Sequence, residues 1–163
     1  MTATTNQTST PEMTTLRLSR VIKAPAERIY KAFLDPDALA KWLPPHGFIG
    51  HVDKMDARVG GSYRMSFSTI NRTWTQFFGG KYLELKPYEK IVHTDTFEDD
   101  MPGWPKGHVM TVTILLKPVK GGTELNIEQG PLPKGSPASE GAPEGWGQSL
   151  DNLQRMCEAE VPF

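Results

Sequence analysis

Cys157 is the single cysteine in 163 residues. That rules out an internal disulfide and makes a reducing compartment the expectation. Neither sign of charge is in excess: 18 Lys and Arg stand against 19 Asp and Glu, for a formal net charge of -1. No basic run or helix concentrates the positive part, which excludes the electrostatic footprint of a nucleic-acid binder. No apolar run approaches the ~20 residues that span a bilayer. The N-terminus has neither the apolar core of a secretory signal nor the arginines of a transit peptide. A cytoplasmic protein without a membrane span is therefore expected. Chemical signatures are missing as well: there is no Gly-rich phosphate loop, HExxH, CxxC or GxSxG. His46, His51, His93 and His108 fall on separate segments with no ligand spacing, so neither a metal nor a cofactor is expected. The pairs Gly60-Gly61, Gly79-Gly80 and Gly121-Gly122 lack the lysine or helix context of phosphate binding and read as turns or bulges.

What is present fits one domain with a real core. Residues 1–13 are rich in threonine and without apolar periodicity; they read as a disordered tail, leaving 14–163 as the domain. LRLSRVIKA suits a first strand. PAERIYKAFL pairs Ile29 with Phe33 and Tyr30 with Leu34 as a short amphipathic helix, and Asp35-Pro36 separates it from a second, DALAKWL, which Pro44-Pro45 stops. After HGFIGHVDKMDA come SYRMSFS, with Tyr63, Met65 and Phe67 alternating, and TWTQFFGGKYLEL, apolar on both faces, whose inward side stays open. EKIVHTDTF is a further strand and EDDMPGWPKG a polar loop. HVMTVTILLKP sets His108, Met110, Val112, Ile114 and Leu116 on one face. Across a Gly121-Gly122 hairpin, TELNIEQ turns Thr123, Leu125, Ile127 and Gln129 inward, and PLPKGSP is a linker.

The stretch from Ser139 to Glu160 organises the rest. Trp146, Leu150, Leu153 and Cys157 recur at helical spacing, with Met156 at the edge of the stripe. This places Cys157 in the core as an inert thiol. Ser139 is the expected N-cap, and Pro143 suits an early turn. Gly141, Gly145 and Gly147 oppose the helix by about 3 kcal/mol in all, whereas burial of the stripe returns roughly 6–12 kcal/mol. A long helix is expected. Strands joined by short hairpins pair antiparallel, so the fold class is α+β: a curved antiparallel sheet wrapped around a long C-terminal helix, with two short helices after the first strand.

VIKAPAERIYKAFLDPDALAKWL resembles the opening of the START-like (SRPBCC) superfamily, the helix-grip fold. DARVGGSYRM, GGKYLELKPYEKIVHT and GWGQSLDNLQ, in that order, resemble its branch named after the activator of Hsp90 ATPase homologue 1. The resemblance covers about residues 14–160 and implies a pocket between the concave sheet face and the long helix. The superfamily spans lipid and hormone binders, cyclases and co-chaperones, so fold analogy does not select an activity.

Trp42, Tyr63, Met65, Phe67, Phe78, Tyr82, His108, Met110, Trp146 and Leu150 are the candidate pocket residues. Tryptophan and tyrosine bring polar tips to an otherwise apolar wall. Candidate acid/base groups are His108, which shares a face with Met110, and His93 with Asp95, two apart on one strand face. The plainer reading of that pair is a solvated edge. The loop FEDDMPGW, with Trp104 at its tip, reads as an exposed hairpin, with a lid as the alternative. Binding of a small apolar or amphipathic molecule is the function expected. The alternatives are a cyclase- or hydratase-type enzyme acting on a polyketide-like or aromatic substrate, and a co-chaperone-like module whose partner is a chaperone or a second copy of the chain.

Overall fold

The computed structural model describes residues 12–159. The element order is β1 (Met13–Ile22), α1 (Ala26–Leu34), α2 (Pro36–Trp42), β2 (Phe48–Met55), β3 (Ser62–Thr69), β4 (Thr75–Lys86), β5 (Lys90–Phe97), β6 (Met110–Val119), β7 (Gly122–Pro133) and α3 (Pro137–Glu158). The seven strands form one antiparallel sheet in the order β1-β7-β6-β5-β4-β3-β2, curved around the long helix in a helix-grip. Residues 1–11 of the expected tail lie outside the described residues. Glu12 accepts the Lys134 N–H at 2.7 Å, and Met13 pairs with Pro133.

Local chemistry explains the helix boundaries. Asp35 ends α1 in an extended conformation and caps α2, its carboxylate accepting from the Asp37 N–H at 2.9 Å, with Pro36 in the first turn. The long helix starts one turn earlier than the sequence suggests. Its cap is Ser136 rather than Ser139: the Ser136 hydroxyl accepts the Ser139 N–H at 3.1 Å, and Pro137 follows it. Pro143 consequently sits one turn further into the helix than a Ser139 cap would place it. The supposed linker PLPKGSP is strand as far as Pro133.

The two halves of α3 rest on different things. In its C-terminal half Leu153 and Cys157 are fully buried, Asn152 donates to the Trp42 and Pro44 carbonyls at 3.2 Å, and Arg28 donates to the Cys157 carbonyl at 2.8 Å. Burial pushes the Cys157 thiol up to about 11, so it is protonated and unreactive. The core continues onto β6 and β7, where Val112, Ile114, Leu116, Leu125 and Ile127 alternate inward. The N-terminal half of α3 spans an opening.

Candidate functional site

That opening is a cavity of about 280 Å³ between the concave sheet face and α3, at the small end of the ~300–1,000 Å³ usual for ligand pockets. Its roof is a stripe of small residues, Ala138, Gly141, Ala142 and Gly145, spaced three and four apart on one helix face. A Cβ added at Gly141 or Gly145 would meet no atom within 4 Å. Their cost in helix propensity keeps this space open.

Strand register builds the floor. Gln129 pairs with Val112, Val112 with His93, and His93 with Tyr82, so these four side chains form one row across β7, β6, β5 and β4. In the next row Tyr63 pairs with Gly80, which the continuing register sets opposite Asp95, itself paired with Met110. Gly80 carries no side chain, so the Tyr63 ring reaches across it and donates its hydroxyl to Asp95 at 3.0 Å. No other residue fits at Gly80, since a Cβ would stand 1.9 Å from the Thr94 carbonyl oxygen. Gly79-Gly80 is thus a close approach inside β4, not a turn.

The polar groups in this apolar chamber are few. Burial raises the Asp95 carboxyl to about 7, against the hydrogen bonds from Tyr63 and Thr96 that favour its ionised form. Burial and the neighbouring Asp95 hold the Tyr63 phenol well above its ordinary range, and burial pushes Tyr82 up to about 12. Burial lowers the pKa of His93, whose Nδ1 lies 2.8 Å from the Thr94 carbonyl oxygen. A carbonyl only accepts, so Nδ1 carries the proton and Nε2 is a bare acceptor. On β7, Gln129 accepts the Trp146 indole N–H at 2.8 Å.

The β5–β6 loop closes one end of the chamber. Met101 and Trp104 line it, and Trp104 donates to the Ser136 hydroxyl at 2.7 Å while packing edge-on against Phe97 and His108. The loop is exposed over residues 98–100, 102–103 and 105–107, as expected of a surface hairpin, but its Trp104 is anchored inward, because an indole needs a partner for its N–H and the helix cap supplies one.

Of the candidate pocket residues, Tyr63, Phe67, Phe78, Tyr82, Met110 and Trp146 line the cavity, together with His93 and Asp95. His93 and Asp95 do not form a solvated edge, because Ile91 and Phe97 on the same face carry them inward. Four candidates stand elsewhere. Trp42 is fully buried behind the wall, donating to the Ala32 carbonyl at 2.8 Å and packing edge-on against Phe33. Met65 and Leu150 are packed in the core. His108 precedes β6, because Gly107 takes a left-handed conformation and the His108 N–H closes a turn on Pro105. Its Nε2 donates to the Pro131 carbonyl at 2.6 Å. Gln129, Gln76 and the small stripe on α3 were missed; on β5, the Ile91-His93-Asp95-Phe97 alternation was the available signal for an inward polar pair. Among the described residues, no group of three or more His, Cys, Asp or Glu is placed to hold a metal ion, and no helix is long and apolar enough to cross a membrane.

Comparison with known proteins places this geometry in a family. A sequence model described as "Activator of Hsp90 ATPase homolog 1-like protein" matches residues 23–158. The crystal structure of protein CV1439 from Chromobacterium violaceum is 47% identical, with a TM-score of 0.79 over 89% of this chain and 98% of that one. Protein NE0264 from Nitrosomonas europaea is 21% identical, with a TM-score of 0.73 over 90% and 96%, which speaks for the fold alone. Uncharacterized protein C1711.08 of Schizosaccharomyces pombe is 29% identical over 119 residues, 72% of this chain; the match spans 28% of that protein's length.

Proposed function

The chain belongs to the activator of Hsp90 ATPase homolog 1-like family of the START-like superfamily, and on that premise we propose that it binds a small, largely apolar molecule in the cavity under α3. One observation carries this reading. Gly145, half-buried, lines the cavity with open space where a side chain would go, and Gly141 lines its exposed rim, although each glycine costs a helix about 1 kcal/mol relative to alanine. A solid core would have filled that space and gained stability by doing so. A role confined to docking a protein partner would use the outer surface, where Phe48 and Trp74 form an exposed edge-to-face pair; that role leaves the small stripe without a purpose.

The test is a panel of apolar small molecules added to the wild type and to Gly145→Leu, followed by melting temperature and tryptophan emission. Binding to the native state alone raises the melting temperature by an amount that grows with the logarithm of one plus the ratio of ligand concentration to Kd. Some compounds are expected to stabilise the wild type and to leave the folded Gly145→Leu protein unaffected. A wild type indifferent to the whole panel, in both signals, refutes the reading.

A second reading is motivated by Asp95. A carboxyl titrating near 7 inside an apolar chamber has the property a general acid or base needs at neutral pH. If the bound molecule is also a substrate, Asp95→Asn is expected to abolish turnover while binding persists; full activity in that variant removes Asp95 from consideration.

A further inference from the structure

Three polar groups of the cavity, on Gln129, Tyr82 and His93, have hydrogen-bonding capacity that no described residue uses. Gln129 is 7% exposed and Tyr82 3% exposed. The indole N–H of Trp146 is a donor only, so the Gln129 atom it meets at 2.8 Å is the carbonyl oxygen. That fixes the amide orientation and leaves the Gln129 NH2 without an acceptor among the described residues. The Tyr82 hydroxyl likewise has no partner there. On β5, His93 Nε2 is a bare acceptor, since Nδ1 is committed to Thr94, while the nearby Asp95 carboxyl already accepts from the Tyr63 hydroxyl and the Thr96 backbone. A donor or acceptor shut away from water without a partner is unfavourable, and all these residues line the same chamber.

They sit in two places. Tyr82 and His93 are direct cross-strand partners, with Asp95 two residues along β5. Gln129 lies two strands from His93 across the Val112 position, or roughly 10 Å at ~4.8 Å per strand. Between them the surface is apolar: Val112, Ile114 and Met110 below, and the small stripe of α3 above.

We propose that the cavity takes an uncharged molecule with two polar ends roughly 10 Å apart, a hydroxyl seated among Tyr82, His93 and Asp95 and a carbonyl seated on the Gln129 amide. The donor and acceptor pattern is complementary at both ends. The ligand hydroxyl donates to His93 Nε2 and accepts from the Tyr82 O–H, and the carbonyl accepts from the Gln129 NH2. Among the described residues no Lys or Arg lines the cavity, so a carboxylate or phosphate head would be buried without a cation and beside Asp95, which disfavours anionic amphiphiles. A cationic head would meet the Gln129 donors at one end. At the other, its pairing with Asp95 would compete with a carboxyl that is held protonated up to neutral pH.

The inference rests on the cavity-binding reading, and the experiment separates the two. Isothermal titration of the full chain compares 4-acetyl-4′-hydroxybiphenyl with 4-phenylphenol, 4-acetylbiphenyl, biphenyl-4-carboxylate and 4-(aminomethyl)biphenyl. Each satisfied end is expected to tighten binding about 3- to 10-fold, so the two-ended probe binds tightest and both charged probes more weakly than any neutral one. Tyr82→Phe is expected to weaken the hydroxyl-bearing probes 3- to 10-fold and to leave 4-acetylbiphenyl unchanged. It should also leave the melting temperature unlowered, because the deleted hydroxyl has no partner among the described residues. Gln129→Leu is expected to weaken the two acetyl probes and spare 4-phenylphenol. Neutral probes that bind equally, or a charged probe that binds tightest, overturn the two-ended ligand while leaving cavity binding intact. Failure of every probe to bind overturns both.

Discussion

Asp95→Asn isolates what burial of the carboxyl does to the whole protein. In the unfolded chain this group titrates near 3.8, and in the folded chain near 7. Below pH 4 it is protonated in both states and contributes no difference. Between 4 and 7 the unfolded state loses the proton and the folded state keeps it, so stability falls as pH rises, by about 1.4 kcal/mol per unit. Above 7 both states are ionised and the loss is complete. Over about three units the sum is on the order of 4 kcal/mol. Asparagine still accepts the Tyr63 hydroxyl and cannot ionise. The stability of Asp95→Asn relative to wild type should therefore grow with pH between 4 and 7 by up to about 4 kcal/mol and then level off. Urea denaturation at half-unit steps from pH 4 to 8.5, with the two proteins side by side, reads this difference directly and cancels Glu98 and Glu158, whose depressed values act in the opposite sense. A difference that is flat with pH, or a variant less stable than wild type at pH 8, would mean that the carboxyl is solvated and the reasoning wrong.

Other perturbations read the rest of the site. Gly80→Ala must push a Cβ against the Thr94 carbonyl and is expected to cost about 1–3 kcal/mol or more, whereas Gly147→Ala, at an open helical position, should stabilise by about 0.5–1 kcal/mol; chemical denaturation compares them. Leu150→Ala and Leu153→Ala should each cost about 2–5 kcal/mol, since both side chains are fully enclosed; a much smaller loss at Leu150 would mean that the cavity extends one turn further along α3. Ser136→Ala removes the helix cap and strands the Trp104 N–H, and a loss of about 1–3 kcal/mol is expected by thermal melting; no loss would mean that the loop is not held there.

Periodicity carried most of the fold. The alternation Met110-Val112-Ile114-Leu116 and the stripe Leu150-Leu153-Cys157 each pointed to their buried faces, because burial is what period-two and helical patterns encode. The family resemblance held in full for the fold. The site was less legible, for three physical reasons. Gly141 and Gly145 register in sequence only as a helix penalty, and their use appears once the space beside them is visible. Asp95 looked solvent-facing because charged residues usually are; Ile91 and Phe97, on its own face, were the evidence against that. Gln129 was read as inward, yet its free amide emerges only from its pairing with Trp146, 17 residues away. Trp42, Met65 and Leu150 show the converse limit, since an apolar side chain on the right element can as well fill a core as line a void.

The Ser136 hydroxyl uses every hydrogen-bonding position it has, accepting from the Ser139 N–H and the Trp104 indole and donating to the Ser139 hydroxyl. Trp104 therefore cannot swing away from the chamber without breaking a bond to the atom that caps α3. Opening at this end is thereby coupled to the helix cap, since loss of the indole frees one acceptor position of the hydroxyl that holds the first turn of α3. A molecule lodged against Trp104 would then be expected to slow amide exchange in the first turn of α3 without touching it.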